Sequence, residues 1–432
     1  MKKPGLVGLS LLLTGSFVLG CSSPQNSANS KGGENKADQP AKKIVVELWT
    51  LTGNPADAAE AVKKEFIKEH PNIEIKLSTR ATDPHKEALR VAAASGKLPD
   101  MWYNWGGTLG SYYPENGFTL DLTEYAKKNN WDQKYLKSTL DLATLSGQLS
   151  GVPQHVRGMG IYYRKDIFEK YKLLEPKTFD DFEKILKTLK ENGITPISTA
   201  GKGGWLTMRF MESLIEHYAG SSLNDGLKSF KESWDNPKVV AAYKKWKEWS
   251  DNGYFPKGFL TLDPTETKIA FYKATAAMVL ENPTFDVTMN KDQQDLNLYG
   301  YFPFPTDQTP LRISSYVDMY QINKKSSPEV QEAAIQFAEF SVNPKTAEKL
   351  GSILNPPLAS IGAPITSDMP HLKKFVQALE GGTYLITDQA LPQEIIQKFF
   401  QAQDSIVTGD MTPERAAKFM QEEVEKYKVN KK

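Results

Sequence analysis

Residues 151–170 read GVPQHVRGMGIYYRKDIFEK, a stretch with the pattern of a bridge between two folded bodies. It opens on a glycine and proline turn signal and continues through the polar residues His155 and Arg157. An apolar strand pattern follows at 159–163, and the remaining residues begin an amphipathic helical pattern. The stretch therefore predicts a short extended segment that leaves one domain and at once begins another.

Length and composition limit the classes of protein to which the chain can belong. It has 432 residues, of which 40% are hydrophobic and 24% charged, as in ordinary globular proteins. About 390 residues beyond a leader exceed what one hydrophobic core usually organises, so we expect two domains. A formal net charge of +1, with both signs interspersed, provides no basic field for a phosphate backbone. We therefore expect no nucleic-acid partner.

The first twenty residues have the pattern of a secretory leader. Lys2 and Lys3 precede an apolar run from Leu6 to Leu19, which is too short to span a bilayer comfortably. The run ends just before Cys21, the only cysteine, which cannot form an internal disulfide. The rest of the segment 21–41 is rich in small and polar residues and predicts a disordered tether.

A βαβ unit is predicted at the start of the folded part. A strand pattern at 44–49 is followed by a helical pattern at 55–69, which Asn54 can cap. Alternating apolar residues at 73–77 then predict a second strand. Such a unit predicts a parallel sheet with helices packed on its faces.

The segment 100–107, DMWYNWGG, concentrates the side chains most suited to binding a ligand. We expect it at the carboxyl end of a strand, where open α/β sheets bind ligands. Aromatic rings pack on the C–H faces of a sugar, and carboxylate and amide groups hydrogen-bond its hydroxyls. The segment favours a carbohydrate. The alternative, core aromatics beside a turn or cap residue Asp100, stays open.

Two later loops have a similar mixture of side chains. The glycine-rich loop 201–205 precedes a helix, and Trp205 is expected either at a cleft edge or packed at the helix start. The loop 281–286 follows an apolar strand pattern and combines polar with aromatic residues. By contrast, Trp246 and Trp249 lie in an amphipathic helical pattern and are predicted to be core residues.

Five blocks of sequence carry a resemblance to a known family. In chain order they are the leader with Cys21, Leu98 to Gly107, Gly151 to Pro153 with Gly160 to Phe168, Phe271 to Met278, and Gln321 to Ser327. Together they resemble the family 1 extracellular solute-binding proteins, the sugar-capturing subunits of ABC importers. The resemblance covers nearly the whole chain beyond the leader, in the expected order.

The resemblance implies an α/β fold of two lobes, of the periplasmic-binding-protein type. Two α/β domains would be joined by three hinge crossings, with a ligand cleft between them. The implied division is a signal peptide at 1–20, a lipidated cysteine and tether at 21–41, lobe 1 at 42–156 plus 314–353, lobe 2 at 157–313 plus 363–432, and the third crossing at 354–362. The strand pattern at 313–322 and the break at Asn355-Pro356-Pro357 agree with this division.

The residue patterns and the resemblance together give a set of candidate ligand contacts. The candidates are Trp49, Thr50, Asp100, Asn104, Trp105, His155, Arg157, Trp205, Glu281, Phe285, Tyr316 and Asp318. Many relatives have Gly-Pro-Trp where this chain has Asn282-Pro283-Thr284, so Phe285 would have to supply the stacking surface. Hinge packing is the alternative role of Tyr316 and Asp318.

The expected function is that of a solute-binding lipoprotein without enzymatic activity, metal or cofactor. It would capture a carbohydrate, preferably an oligosaccharide, by hinge closure and deliver it to the permease of an ABC importer. The residues preceding and including Cys21 resemble a lipobox, which implies an extracytoplasmic monomer held on the cell membrane by lipid on Cys21.

Two alternatives to transport remain. One is a subunit that presents its ligand to a membrane sensor. The other is a secreted glycoside hydrolase, for which Asp100, Glu281 or Asp318 would supply the two carboxyl groups. The sequence has no His-Glu-x-x-His, Gly-x-Ser-x-Gly or Walker motif, which disfavours an enzyme.

Overall fold

The structure is a computed structural model that describes residues 43–364 and 368–430. The predicted leader, the lipidation site Cys21 and the tether lie outside the described residues. Within the described part, none of the helices is long and apolar enough to cross a bilayer.

The strands form two main sheets and one short hairpin. In the described residues they are, in chain order, β1 (Ile44–Leu51), β2 (Ile73–Arg80), β3 (Met101–Trp105), β4 (Thr144–Leu145), β5 (Gln148–Leu149), β6 (Val152–Gly158), β7 (Gly160–Arg164), β8 (Thr195–Ser198), β9 (Ala276–Glu281), β10 (Tyr299–Phe302), β11 (Ile313–Ile322) and β12 (Thr383–Leu385).

The helices occupy most of the remaining chain. In the described residues they are α1 (Asn54–Glu69), α2 (Thr82–Ser95), α3 (Thr108–Glu115), α4 (Thr123–Lys128), α5 (Trp131–Lys134), α6 (Lys137–Ala143), α7 (Lys165–Lys170), α8 (Phe179–Glu191), α9 (Trp205–Ala219), α10 (Ser221–Lys228), α11 (Pro237–Asp251), α12 (Thr267–Tyr272), α13 (Phe285–Lys291), α14 (Pro328–Val342), α15 (Pro344–Leu350), α16 (Leu372–Leu379), α17 (Thr387–Ala390), α18 (Gln393–Thr408) and α19 (Pro413–Asn430).

The first sheet has the strand order β12-β11-β3-β1-β2, and β6 also pairs with β11. We call the body built on it the first lobe. β1 is parallel to both β2 and β3, which confirms the predicted βαβ unit. β11 runs antiparallel to β3 and to β6, so a strand from late in the chain lies between two early ones. Parallel β1 and β3 therefore end at the same edge of the sheet.

The second sheet has the order β10-β7-β9-β8, and we call its body the second lobe. β7 is antiparallel to β9 and β10, while β8 is parallel to β9. Helices α8 and α12 pack against this sheet, and α11 packs on α9, α18 and α19. Trp246 and Trp249 are fully buried, which confirms their predicted place in the core.

The chain changes sheet where β6 leads into β7 and again where β10 leads into β11. We call β6 with β7 the first crossing and β11 with its approach from β10 the second. Residues 354–362, the predicted third crossing, run beside β6, and we keep that name for them. The opening stretch 151–170 is thus a bridge between two sheets.

Helix starts follow the sequence signals at some positions and depart from them at others. Thr178 caps α8 by accepting a hydrogen bond from the backbone N–H of Asp181, as its position before an acidic first turn predicts. The predicted cap Asn54 is wrong. Gly53, which has no side chain, occupies the cap position of α1, and the Asn54 side chain instead donates to the carbonyl O of Thr284 and the hydroxyl of Thr288 in the second lobe.

Candidate ligand-binding site

A cavity of about 200 Å³ lies at the carboxyl edge of β1 and β3, between the two lobes. The first lobe contributes Tyr103 and Trp105 near the end of β3 and Lys86 from α2. Arg157 and Tyr316 reach the cavity from the first two crossings. This edge is where open α/β sheets generally bind ligands.

The second lobe contributes one helix face and one strand end. Trp205 and Arg209 lie four residues apart on α9, so both side chains are on the same face. Glu281 is the last residue of β9. The short helix α17 adds Asp388 and Gln389.

Gly107 explains how α17 reaches this position. Its backbone has φ of 64°, a left-handed conformation that favours glycine. A Cβ atom at Gly107 would lie 2.2 Å from the carbonyl O of Gln389, so any larger residue would push α17 away. Gly107 thus allows α17 to pack closely enough to form part of the cavity wall.

The aromatic rings of the cavity are paired with cations. The Arg209 guanidinium lies 4.7 Å from the centre of the Trp205 ring and 5.9 Å from that of Tyr316. Across the cavity, Lys86 Nζ lies 5.1 Å from the Trp105 ring. Such contacts orient the cations without using their hydrogen-bond donors.

Several polar atoms of the cavity residues have no hydrogen-bond partner among the described residues. They are Trp205 Nε1, Arg209 Nε, Asn355 Oδ1, Asp388 Oδ1 and Gln389 Oε1. Buried polar atoms are nearly always paired in folded proteins, so a cluster of unpaired ones needs an explanation. The set includes both donors and acceptors, and a ligand with both kinds of group would complete it.

Burial changes the acidity of the two carboxyl groups in the cavity. It raises the pKa of Glu281 to about 6, against the lowering effect of Arg209. It also raises the pKa of Asp388, which Lys86 and Arg209 oppose. Within the described residues, no group of three or more His, Cys, Asp and Glu is arranged to hold a metal ion.

Behind the cavity, Asp318 is fully buried at the centre of a charged network. It accepts hydrogen bonds from Arg157 Nε at 3.1 Å and from the Tyr103 hydroxyl at 2.9 Å. His155 Nδ1 lies 2.5 Å from its other oxygen. Burial alone would raise the pKa of Asp318, but His155 and Arg157 hold it below its ordinary value.

Five of the predicted ligand residues lie at the cavity. They are Trp105, Arg157, Trp205, Glu281 and Tyr316. His155 and Asp318 instead form the network behind Arg157, and neither lines the cavity.

Two predicted contacts in the segment 100–107 lie away from the cavity. The expectation that the segment follows a strand is wrong, since most of it is β3 itself. Asp100 precedes the strand and accepts hydrogen bonds from the backbone N–H of Glu47 and the hydroxyl of Ser326. Asn104 is buried and donates to Gln321 Oε1 at 2.7 Å.

Three other predicted contacts also lie away from the cavity. The Trp49 ring lies under the Arg80 guanidinium at 4.0 Å, and its Nε1 donates to Glu47. Thr50 is fully buried in β1. Phe285 packs in the core of the second lobe, 5.2 Å from the Tyr162 ring, so it does not replace the missing stacking surface. Trp205 is the tryptophan that α9 supplies to the cavity.

Sequence reasoning missed several cavity residues, although Tyr103, Asn282 and Thr284 lie in segments that their composition had already singled out. Arg209 follows Trp205 by one helical turn, and that spacing on a predicted helix would have placed it beside the tryptophan. Lys86, Asp388 and Gln389 come from elements whose arrangement depends on tertiary packing. No local pattern identifies them.

Comparison with known proteins identifies the family. The family model of the bacterial extracellular solute-binding proteins matches residues 50–348. The chain belongs to the bacterial extracellular solute-binding proteins. This solute-binding protein is also 29% identical over 332 residues to an uncharacterised ABC transporter extracellular-binding protein of Pyrococcus horikoshii, a match that covers 72% of this chain and 71% of the relative.

A second relative and a solved structure also match, and the solved structure bears on the fold. A multiple sugar-binding protein of Streptococcus mutans is 22% identical over 377 residues, covering 84% of this chain and 83% of the relative. The solved structure of a chitin oligosaccharide binding protein matches with a TM-score of 0.78 and 23% identity, over 88% of this chain and 98% of that one. The predicted two-lobed α/β fold is confirmed, and the solute-binding protein belongs with binding proteins rather than enzymes.

Proposed function

We propose that this solute-binding protein captures a carbohydrate between its lobes and delivers it to the permease of an ABC importer. The main support is the cavity, where aromatic rings lie beside hydrogen-bond donors and acceptors that have no partner among the described residues. A sugar hydroxyl both donates and accepts, and a sugar ring has C–H faces that pack on aromatic rings. The names of the sugar-binding relatives are consistent with such a ligand.

The cavity volume bears on the length of the sugar. Ligand pockets usually have about 300–1,000 Å³. The cavity here has about 200 Å³, which favours a short chain over a long one. Within the expected oligosaccharide class, the ligand we propose is a short oligosaccharide.

The proposed mechanism is hinge closure of the two lobes. Cavity residues come from both lobes, so a ligand that contacts both favours their approach. We propose the lobe bounds 42–156 plus 314–353 and 157–313 plus 363–432, with 354–362 as the third crossing. β12 is an exception to these bounds, because it lies in the last range by sequence but pairs with β11 of the first sheet.

The proposed location is the outer face of the cell membrane, as a monomer. Lipid on Cys21 would provide the anchor, and the segment 21–41 would let the lobes stand away from the bilayer. The extracellular character of the family supports this location.

Titration calorimetry tests the proposed ligand class. The probes are maltose, raffinose, stachyose, galactose, chitobiose and xylobiose, and we expect at least one to bind. Trp205→Ala should then weaken binding at least tenfold, since it removes the stacking surface from α9. Trp49→Ala, which alters a tryptophan away from the cavity, should leave the dissociation constant within about threefold. Binding of none of these sugars, or equal losses in both variants, would contradict the proposal.

A further inference from the structure

The three crossings lie side by side behind the cavity. β6 of the first crossing pairs with β11 of the second over residues 152–158. The third crossing then pairs with β6 from the other side. The backbone N–H of Val156 donates to the carbonyl O of Pro357 at 3.1 Å, and that of Ala359 donates to the carbonyl O of Gln154 at 2.8 Å. Any relative motion of the lobes must pass through this small region.

Two side chains of the first crossing each join the other two. His155 contacts Asp318 of the second crossing through Nδ1 and the carbonyl O of Leu354 through Nε2, at 2.5 and 2.9 Å. Arg157 donates through Nε to Asp318 and through Nη1 to the carbonyl O of Asn355, at 3.1 and 2.5 Å. We call His155, Arg157 and Asp318 the hinge network.

The hinge network also contacts the cavity wall. Arg157 and Asn355 both line the cavity, and so does Tyr103, whose hydroxyl donates to Asp318. Asp318 itself has no exposed surface. A buried charge is strongly disfavoured when it lacks partners, so the carboxylate favours the arrangement of crossings that keeps all its donors in place.

We propose that Asp318 is a positioning residue for ligand capture. It holds Arg157 against the cavity and, with His155, couples the three crossings, so that ligand contact and hinge closure depend on the same carboxylate. The inference rests on the proposed function and goes beyond it, because it assigns the coupling to a residue that lies outside the cavity.

The second lobe contains a matched control for this network. His371 Nδ1 lies 2.6 Å from an oxygen of Asp286, and its Nε2 lies 3.0 Å from the carbonyl O of Tyr299. The Tyr162 hydroxyl donates to Asp286 at 3.0 Å. Asp286 is as buried as Asp318 and also has a histidine and a tyrosine as partners, but neither His371 nor Tyr162 lines the cavity.

The first test compares Asp318→Asn with Asp286→Asn in the full chain. Both variants should lower the melting temperature. Only Asp318→Asn should weaken binding of the tightest sugar of the panel above, by about thirtyfold or more, while Asp286→Asn should stay within about threefold. The inference would be overturned if Asp318→Asn lowered the melting temperature without weakening sugar binding, or if both variants lost affinity equally.

A double-mutant cycle tests whether Asp318 acts through Arg157. If it does, Asp318→Asn should add less than about threefold to the affinity loss that Arg157→Met already causes. Fully additive losses would show that the two side chains act independently and would overturn the positioning role.

A distance measurement on the protein without ligand separates this inference from the proposed function. Spin labels at Lys97→Cys and Lys257→Cys, with Cys21→Ser, report the distance between the lobes by pulsed electron spin resonance. We expect Asp318→Asn to broaden the distance distribution and Asp286→Asn to leave it as in the parent. An unchanged distribution in Asp318→Asn would overturn the inference. Failure of every sugar to bind, with the broadening present, would instead contradict only the carbohydrate proposal.

Discussion

At the scale of single residues, a buried histidine supports the cavity wall from behind. His85 has no exposed surface, and its Nε2 lies 2.8 Å from the carbonyl O of Tyr103. Burial lowers its pKa from 6.5 to about 4. The unfolded chain therefore binds a proton at a higher pH than the folded chain does. The contribution of neutral His85 to the free energy of unfolding is fully present above pH 6.5 and is lost as the pH falls toward 4.

Replacing His85 by glutamine should remove this pH dependence. The glutamine amide would retain a donor for the carbonyl O of Tyr103 but would not titrate in this range. Between pH 7 and pH 4, wild type should lose about 3 kcal/mol more of its free energy of unfolding than His85→Gln, from about 1.4 kcal/mol per pKa unit. Urea unfolding at several pH values measures the difference. Parallel stability curves for the two proteins would contradict the expected role.

The residues that line the cavity were harder to predict from the sequence than the helices and strands. Trp105 and Trp205 were predicted from aromatic and glycine-rich segments, and both line the cavity. Trp49 has the same composition signal but packs under Arg80, because side chains alternate between the faces of a strand. Asp388 has no signal at all, since its place depends on the close approach of α17 to Gly107.

At the scale of elements, α1 and α13 form a clasp between the two lobes. Asn54 of α1 donates through Nδ2 to the Thr288 hydroxyl at 3.0 Å. Lys291 of α13 donates to Asn54 Oδ1 at 2.6 Å and also forms an ion pair with Asp57. The carbonyl O of Thr284, in the loop before α13, accepts a further hydrogen bond from Asn54 Nδ2 at 3.3 Å. Polar contacts therefore join α1 both to α13 and to the loop that precedes it.

Removing the lysine of the clasp should weaken ligand binding slightly and make it less dependent on salt. Exposed ion pairs contribute roughly 0.2–1 kcal/mol and are screened by salt. Lys291→Met should therefore raise the dissociation constant about two- to fivefold at low ionic strength and show no added effect at about 1 M salt. Fluorescence titration with a bound sugar of the panel measures both.

Lys268→Met provides the control for the clasp. Lys268 forms an ion pair with Asp292 at 2.6 Å, but both residues belong to the second lobe. Its replacement should leave the affinity and the salt dependence as in wild type. If the two lysine variants behave alike, the effect of Lys291 arises from net charge, and the clasp does not stabilise closure.

Long periodic elements were predicted almost to the residue, and short ones were not. The pattern at 55–69 matches α1 and the pattern at 313–322 matches β11. In long elements, many apolar residues repeat with the period of the helix or strand, so the pattern is clear. β12 has three residues and α17 has four, too few for either period to appear. These two elements nonetheless extend the first sheet and complete the cavity.

At the scale of the whole molecule, the order of strands explains why one sequence stretch reveals the fold. β11 lies between β3 and β6, so the first sheet closes only when the chain returns from the second lobe. Each return adds a crossing, and the crossings stand beside one another behind the cavity. The bridge pattern at 151–170 is local and readable. The hinge network is not readable, because it joins residues more than 150 positions apart.

The proposed lipid anchor would determine where the whole molecule acts, and Cys21→Ser should then release the protein from the membrane. A single acyl chain holds a protein only marginally, whereas the lipobox resemblance implies several chains on Cys21. In cell fractionation, wild type should sediment with membranes and Cys21→Ser should appear in the soluble extracellular fraction. Sugar affinity should be unchanged in the variant, because the substitution alters none of the cavity residues in the described part of the chain. Retention of Cys21→Ser with the membranes would contradict the lipid anchor and leave the leader as the element that holds the chain.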